Sequence, residues 1–352
     1  MTAIICPDKS KSSNREVTML VRSLVLAAIA ALGLAGPATA QQTVWKLGYV
    51  NATDSSYLKT IQTMPERIAR ATDGMVTIEL HHSLVKGSQQ PAGLRDGRLE
   101  IIAGVNPWLS GEAPILNVGH LPGLIADAAE YKQVLDAGLE AEFAKVWLDK
   151  YNGVMLSHGV FERQVILSNK AILKASDFEG LKVRVHNTEA AQLMNALGAK
   201  PTPVSFGEIA PALQRGVVDA VMTSTGTSHG FGFYSVADYI HYWGIGTGVG
   251  WSVVVNKDAW AALSPELQNK VRAEFQAIED EHYANDAAYS DLMTQQQVDK
   301  GMTLIAVGAD ERAEVFQEAN VKAVYDAWYQ LAEDRGYDGR AVVEKTRGLL
   351  DR

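Results

Sequence analysis

The chain has 352 residues, a formal net charge of −9 and a single cysteine, Cys6. That length suits two domains. The acidic balance argues against nucleic acid and against an anionic membrane surface as partners, but not against an anionic ligand held by a few local cations.

The N-terminus reads as an export signal. Lys9, Lys11, Arg15 and Arg22 precede the apolar run LVLAAIAALGLAG at 24–36, and Pro37 is followed by the small residues Ala38-Thr39-Ala40. This is the pattern of a cleavable secretory signal peptide over 1–40, too short to span a bilayer. Met19 offers an alternative start, since MLVRS makes a normal basic segment. Leu34-Ala35-Gly36 is followed by Pro37 and not by cysteine, which argues against a lipid anchor. The first 40 residues carry four basic and two acidic side chains, so their removal takes the charge from −9 to −11. Cys6 would leave with them, and with it any disulfide or thiolate metal site. No later run is long and apolar enough to cross a membrane. The expectation is a soluble exported protein beginning near Gln41.

From there the elements follow in order. TVWKLGYV at 43–50 alternates as a strand; Leu58, Ile61, Met64, Ile68 and Ala71 fall at helical spacing; MVTIELHH places Val76, Ile78 and Leu80 on one strand face. A short helix leads to Asp96-Gly97, and LEIIAGV at 99–105 is a continuous buried strand. The pattern is βαβαβ, a mostly parallel sheet with helices outside. It recurs over roughly 161–223: FERQVILS and LKVRVH are strands, Asn187 is an N-cap before TEAAQLMNAL with Gly198 as the stop, PTPV is a short strand, FGEIAPALQR a helix ending at Gly216, and VVDAVMT a strand. IGTGVGWSVVV at 245–255 is glycine-rich, then strand. Ser264-Pro265-Glu266 opens a helix running to about Gln297, unusually long for a globular domain. MTLIAV is the last strand, and helices fill the rest. There is no repeat, low-complexity tract or flexible linker.

Gly226-Thr227-Ser228-His229-Gly230 fits the G-x-S-x-G nucleophile elbow of α/β-hydrolases. A hydrolase needs an acid and then a loop histidine downstream. Only His241 and His282 remain; His282 sits inside the long helix, and His241 follows too soon to leave room for the acid. Four residues already separate VVDAVMT from Ser228, and no HGGG segment precedes it. A glycine-rich connection is the better reading, with an exported serine hydrolase kept as the alternative. The eight histidines, His81-His82 among them, show no metal spacing, and GIGTGVG precedes a strand instead of opening a helix, so it cannot cradle a phosphate. No metal or cofactor is expected.

The remaining chemistry lies at strand ends. In KVRVH, Val183 and Val185 face the core, and Lys182, Arg184 and His186 face the other way. Arg184 stands at the carboxyl end of a strand, where α/β crevices bind ligands. The helix beginning at Asn187 offers free N–H groups there. Guanidinium matches a carboxylate with two parallel hydrogen bonds. Arg163 sits on another strand of the same unit. From residue type alone, both arginines either pair with surface acids or hold an anion. Trp108 follows LEIIAGV, Phe206 opens a helix, and Phe231, Phe233, Tyr234, Trp243 and Trp251 cluster after VVDAVMT; as single residues they are core or the lining of a cleft.

The segment GLKVRVHNTEAAQLMNALGAKPTPVSFGEIAPALQRGVVDAVMTS at 180–224 resembles the substrate-binding proteins of TRAP (tripartite ATP-independent periplasmic) transporters. It carries their G-L-K-x-R-V, ALGA and P-x-P-x-x-F-x-E-x-x-x-A-L-Q-x-G-x-V-D without a gap. RQVILSNKAI, KLGYVNATDSSY, GLRDGRLEIIAG and SPELQNKV are similar to further family segments, so the resemblance covers nearly the whole chain after 40 and loosens after about 300. It implies an α/β, two-lobe periplasmic-binding-protein fold (type II-like), with hinge strands and a long helix spanning both lobes. The implied lobes are 41–160 with 249–287, and 161–248 with 288–352. It implies a receptor without catalysis that closes on a small organic carboxylate and delivers it to TRAP membrane subunits. A similar-fold receptor of another transport or sensory system is the alternative. Arg184 matches the family arginine that holds the carboxylate, Arg163 a second pocket arginine, and Phe206 a phenylalanine packed on the ligand. There are departures. Where sialic-acid and dicarboxylate binders have V-D-G-Q-E-N-P, this chain has VDAVMTS, with Thr223 at the asparagine. Tyr49 to Asn51 replace a polar contact at the first strand. With Trp108 and Trp251, this suggests a larger or flatter carboxylate than a C4-dicarboxylate, aromatic acids included. The GTSHGFGF run would be a pocket-wall loop.

Overall fold

In the computed structural model, residues 42–204, 206–246 and 249–351 are described, with Met1 and Ala3 and excepting the side chain of Phe206. The signal-peptide reading of 1–40, with Cys6, and the cleavage point near Gln41 lie outside the described residues.

The first half builds one sheet. β1 (Thr43–Gly48), β2 (Val76–His81) and β3 (Ile101–Val105) are connected through α1 (Ser56–Ala71) and α2 (Gln90–Arg95). α1 starts where Ser55 accepts the amide of Leu58, and it buries Leu58, Ile61, Met64 and Ile68 at the spacing of one helix face. After α3 (Ala128–Val134) and α4 (Glu140–Tyr151), β4 (Gly153–Val160) completes the edge of the sheet. Its order is β2-β1-β3-β10-β4, where β10 (Gly250–Asn256) returns from the far half of the chain. β1 is parallel to β2 and β3, and β10 is antiparallel to both its neighbours.

The second sheet contains β5 (Gln164–Ser168), β6 (Lys182–Val185), β7 (Lys200–Pro203), β8 (Ala220–Ser224), β9 (Tyr239–Tyr242) and β11 (Thr303–Ala306), in the order β11-β9-β5-β8-β6-β7. α5 (Thr188–Ala196) and α6 (Ile209–Gln214) connect the parallel strands β6, β7 and β8. Asn187 caps α5 by accepting the Ala190 amide at 2.9 Å. β5 departs from the βαβαβ reading, because it runs antiparallel to β8 and β9. It is fed straight from β4 of the first sheet through residues 161–163, with no returning helix to turn it parallel. GTSHG also differs from the expected loop: it is a short helix, α7 (Thr225–Gly230), capped by Ser224.

Three segments join the sheets: 161–163, 243–249, and the 35-residue α9 (Pro265–Asp299), about 52 Å long. Between β10 and α9 lies α8 (Lys257–Ala261). Ser264 caps α9 as its sequence predicts. α9 packs on α1, β4 and α3 of the first half and on α7 of the second. The chain ends in α10 (Ala309–Val315), α11 (Glu318–Asp334) and α12 (Gly339–Leu349). α11 packs on α5, yet its Trp328, with Val343 of α12, is buried in the core that also holds Leu116, Tyr131 and Phe143. The mixed α/β architecture of two sheets is the two-lobe periplasmic-binding-protein fold.

Candidate functional site

A cleft lies between the two sheets, and its two walls differ in chemistry. Val50, Ala52, Val105, Pro107 and Trp108, from the segments after β1 and β3, make an apolar wall, extended by Phe161 and Val249 of the joining strands. Gln164, Arg184, His186, Thr223, Ser224 and Thr227, from β5, β6 and the bend after it, β8 and α7, make the polar wall.

Arg184 is the cation of the polar wall. The alternation of β6 sends Val183 and Val185 into the core of the second sheet and turns Arg184 to the cleft. Its Nε donates to the carbonyl of Val204 at 3.1 Å and its Nη1 to that of Met222 at 2.9 Å, so the backbone fixes the plane of the guanidinium. The side chain is 5% exposed. Burial lowers its pKa to about 10, which leaves it charged at neutral pH. Among the described residues lining the cleft there is no acid and no other arginine or lysine. His186 stands two residues on, with its ring 5.1 Å from that of His120 and edge-on. Burial, His120 and Arg184, in that order, drive its pKa well below the usual histidine range, and burial alone takes His120 to about 3. Both rings are neutral at pH 7.

Phe161 presents its ring to the cleft because two further aromatic layers support it. Tyr57 stacks behind it at 5.0 Å, and Trp251 meets Tyr57 edge-on at 5.4 Å. The Tyr57 hydroxyl donates to the carbonyl of Ala103 and accepts the amide of Val50, tying α1 to both segments of the apolar wall. Trp108 is 36% exposed, and its indole rests on the backbone of Gly87, where a Cβ would lie 2.4 Å from the ring.

The structure brings together three of the residues picked from sequence: Arg184, Thr223 and Trp108. Arg163 lies on the other side of the crossing segment, in a second cleft, where it donates to Asp291 of α9 at 2.7 Å and covers the Tyr242 ring at 5.0 Å. Its neighbour Gln164 takes the place facing Arg184, since successive residues of an extended chain point to opposite sides. Trp251 is 1% exposed, buried against Gly159, its partner across β4. Tyr49 meets the His82 ring edge-on at 5.9 Å, and Asn51 is exposed; neither lines the cleft. Phe206 opens a single 3₁₀ turn, and its side chain is outside the described residues. Sequence reasoning missed His186, Gln164 and Phe161 as lining residues. The alternation of KVRVH puts His186 on the face of Arg184 but does not by itself mark it as a lining residue.

α7 settles the G-x-S-x-G match. Ser228 is fully buried and donates to Oε1 of Gln297 on α9 at 2.5 Å, while His229 pairs with Asp54 at 3.1 Å. Serine and histidine therefore point to different partners and form no catalytic pair. The glycines have another task. A Cβ on Gly230 would lie 2.1 Å from the Thr53 carbonyl oxygen, and one on Gly226 would lie 2.5 Å from that of Asp54. Their absence lets α7 touch the backbone that follows β1. Beside them, Glu162 is buried and accepts the amide of Ser56, at the positive end of α1.

Among the described residues no group of three or more histidine, cysteine, aspartate or glutamate side chains could hold a metal ion, and no helix is long and apolar enough to cross a membrane.

Residues 47–331 match the model of the DctP family, bacterial extracellular solute-binding protein family 7. Among similar proteins, a solute-binding protein of Chromohalobacter salexigens is 27% identical over 57% of this chain, and the match spans 61% of that protein's length. The C4-dicarboxylate-binding periplasmic protein DctP of Rhodobacter capsulatus is 27% identical over 92% of this chain and 97% of its own. The ectoine/5-hydroxyectoine-binding periplasmic protein UehA of Ruegeria pomeroyi is 26% identical over 92% and 95%. In structure, a TRAP periplasmic solute-binding protein of Desulfovibrio salexigens with bound orotic acid matches with a TM-score of 0.79 at 20% identity, over 88% of this chain and 99% of that one. A Bordetella pertussis extracytoplasmic solute receptor binding pyroglutamic acid matches with a TM-score of 0.78 at 22% identity, over 87% and 100%. At that identity the likeness is one of fold. The family match covers most of the chain, and with the TRAP receptor fold it gives the result that the resemblance implied: this chain belongs to the DctP family of bacterial extracellular solute-binding proteins.

Proposed function

We propose that the protein is the periplasmic solute receptor of a TRAP transporter. In this reading it captures a small organic carboxylate on Arg184 and delivers it to the membrane subunits without chemical change. The observation that carries the reading is a buried, charged guanidinium, aimed by two backbone carbonyls into a cleft between two sheets. The ligand carboxylate neutralises the guanidinium through charge-assisted hydrogen bonds, at a site already stripped of most water. The lobes then meet over it. Closure is favoured by whatever the ligand touches only in the closed arrangement, here the apolar wall and Trp108. Similar proteins named for C4-dicarboxylate or ectoine, or solved with pyroglutamate or orotate, support the carboxylate class. We assign β1–β4 and β10 to one lobe and β5–β9 and β11 to the other. α12 is counted with the first lobe, because Val343 is buried in that lobe's core.

Arg184→Ala is the test. Losing one partner of a buried ion pair costs about 2–5 kcal/mol. A thermal-shift screen over organic acids identifies a ligand, which at 100 times its dissociation constant adds about 2.7 kcal/mol of stability. Calorimetry on the variant should show that affinity collapsed, with the unliganded unfolding profile retained. Undiminished affinity would remove Arg184 as the anchor. Capture of membrane subunits by the liganded protein tests delivery.

A further inference from the structure

Resting on the receptor reading above, the two walls of the cleft narrow the ligand class. A second carboxylate on the ligand would meet no second arginine or lysine among the described lining residues. Among the described lining residues Arg184 is the single charged group at neutral pH, so nothing on the apolar wall would compensate. An uncompensated buried carboxylate is strongly disfavoured. An apolar body, by contrast, gains from contact with that wall.

His186 adds a second requirement. Its ring makes a backbone hydrogen bond at Met222 that favours protonation of the ring, so the bond runs from a ring N–H to the carbonyl. Nε2 is shielded from solvent, has no hydrogen-bond partner among the described residues, and belongs to a side chain lining the cleft. A neutral imidazole that donates through one nitrogen offers a lone pair on the other. That lone pair repels a carboxylate oxygen and accepts from a hydroxyl or an N–H. Arg184 belongs to β6 and His186 follows directly after its last residue, Val185; both line the cleft. The donor on the ligand therefore belongs near its carboxylate.

We propose that the ligand is a monocarboxylate with an apolar body and a hydroxyl or N–H beside the carboxylate, with Arg184 taking the charge and Nε2 of His186 accepting from the donor. Calorimetry with three acids of one skeleton tests this: 4-methyl-2-hydroxypentanoate, 4-methyl-2-oxopentanoate and 4-methylpentanoate, with malate as the hydroxylated dicarboxylate. The hydroxy acid should bind at least tenfold tighter than either of its two analogues and than malate. His186→Leu should bring the hydroxy and deoxy acids to within twofold of each other, while His186→Gln, which keeps an acceptor, should preserve most of the difference. Three results would overturn the proposal: malate binding tighter than the hydroxy acid, a hydroxy-to-deoxy ratio below tenfold in the wild type, or a ratio unchanged in His186→Leu. Malate binding that depends on Arg184 would overturn the proposal and leave the receptor reading intact. Failure of every organic acid in the wider screen would overturn both.

Discussion

Replacing Gly230 by alanine puts local helix preference and lobe packing in opposition. In an isolated helix alanine is the better residue by about 1 kcal/mol. If α7 mattered only as a helix, the variant would be more stable. In this fold the new Cβ would stand 2.1 Å from the carbonyl oxygen and 2.5 Å from the carbonyl carbon of Thr53, both backbone atoms that no rotamer change can move. Restoring ordinary contact requires α7 and residues 53–54 to separate by on the order of 1 Å. The His229–Asp54 pair at 3.1 Å lies at the same contact and would open with it. Overpacking of this kind costs about 1–3 kcal/mol. The contact joins the segment after β1 to the segment after β8, so the cost falls on the arrangement in which the two walls face each other. Converted at 1.4 kcal/mol per decade, ligand affinity should fall roughly 5- to 150-fold. Calorimetry with the ligand from the screen measures that loss, and thermal unfolding without ligand is the control. Affinity equal to or above that of the wild type would refute the reasoning. So would an unliganded stability loss as large as the affinity loss, because the contact would then belong to the fold and not to the alignment of the walls.

Two further outcomes concern the fold itself. Gly159→Ala should lower stability by about 1–3 kcal/mol, seen as a reduced unfolding midpoint in denaturant, because its Cβ would lie 2.0 Å from the Trp251 indole; an unchanged midpoint would mean that Trp251 is free to move. The pH dependence has a sign set by buried histidines and buried acids. His120 and His158 are held at about 3 and His282 at about 4, so the unfolded chain takes up protons below the ordinary value of 6.5 that the folded chain refuses, and stability is lost as pH falls through that window. Glu279 and Asp286, raised by burial to about 7, keep protons in the folded state that the unfolded chain gives up above 4.5 and 3.8, so they add stability as pH falls from 7 towards those values. The unfolding temperature should stay nearly level from pH 7 to about 5 and drop steeply below about 4.5; a continuous decline starting at pH 7 would count against the buried acids.

Strand alternation and capping were enough to read much of the molecule from its sequence. Asn187 and Ser264 cap the helices expected of them, and the parity of KVRVH sends Arg184 to the cleft and its valines to the core. The aromatics were harder. Every residue of β10 is buried, so its pattern does not say which face carries Trp251. The side chain at the surface is Phe161, in a joining segment with no periodicity to read. GTSHG looked like a loop because its glycines are poor helix formers, but tertiary contact with residues 53–54 overrides that preference.

The case of Arg163 shows what spacing alone leaves out. It sits next to the cleft in sequence and in space, one residue before Gln164, which lines it. An extended chain makes the two side chains alternate, so only one of them can face Arg184. On the opposite side of the strand, α9 presents Asp291, 128 residues later in the chain, and Tyr242 offers its ring face. Asp291 is placed by the long helix and Tyr242 by β9, so both contacts are long-range consequences of the fold. The result is that, among the described residues, one arginine and not two lines the cleft.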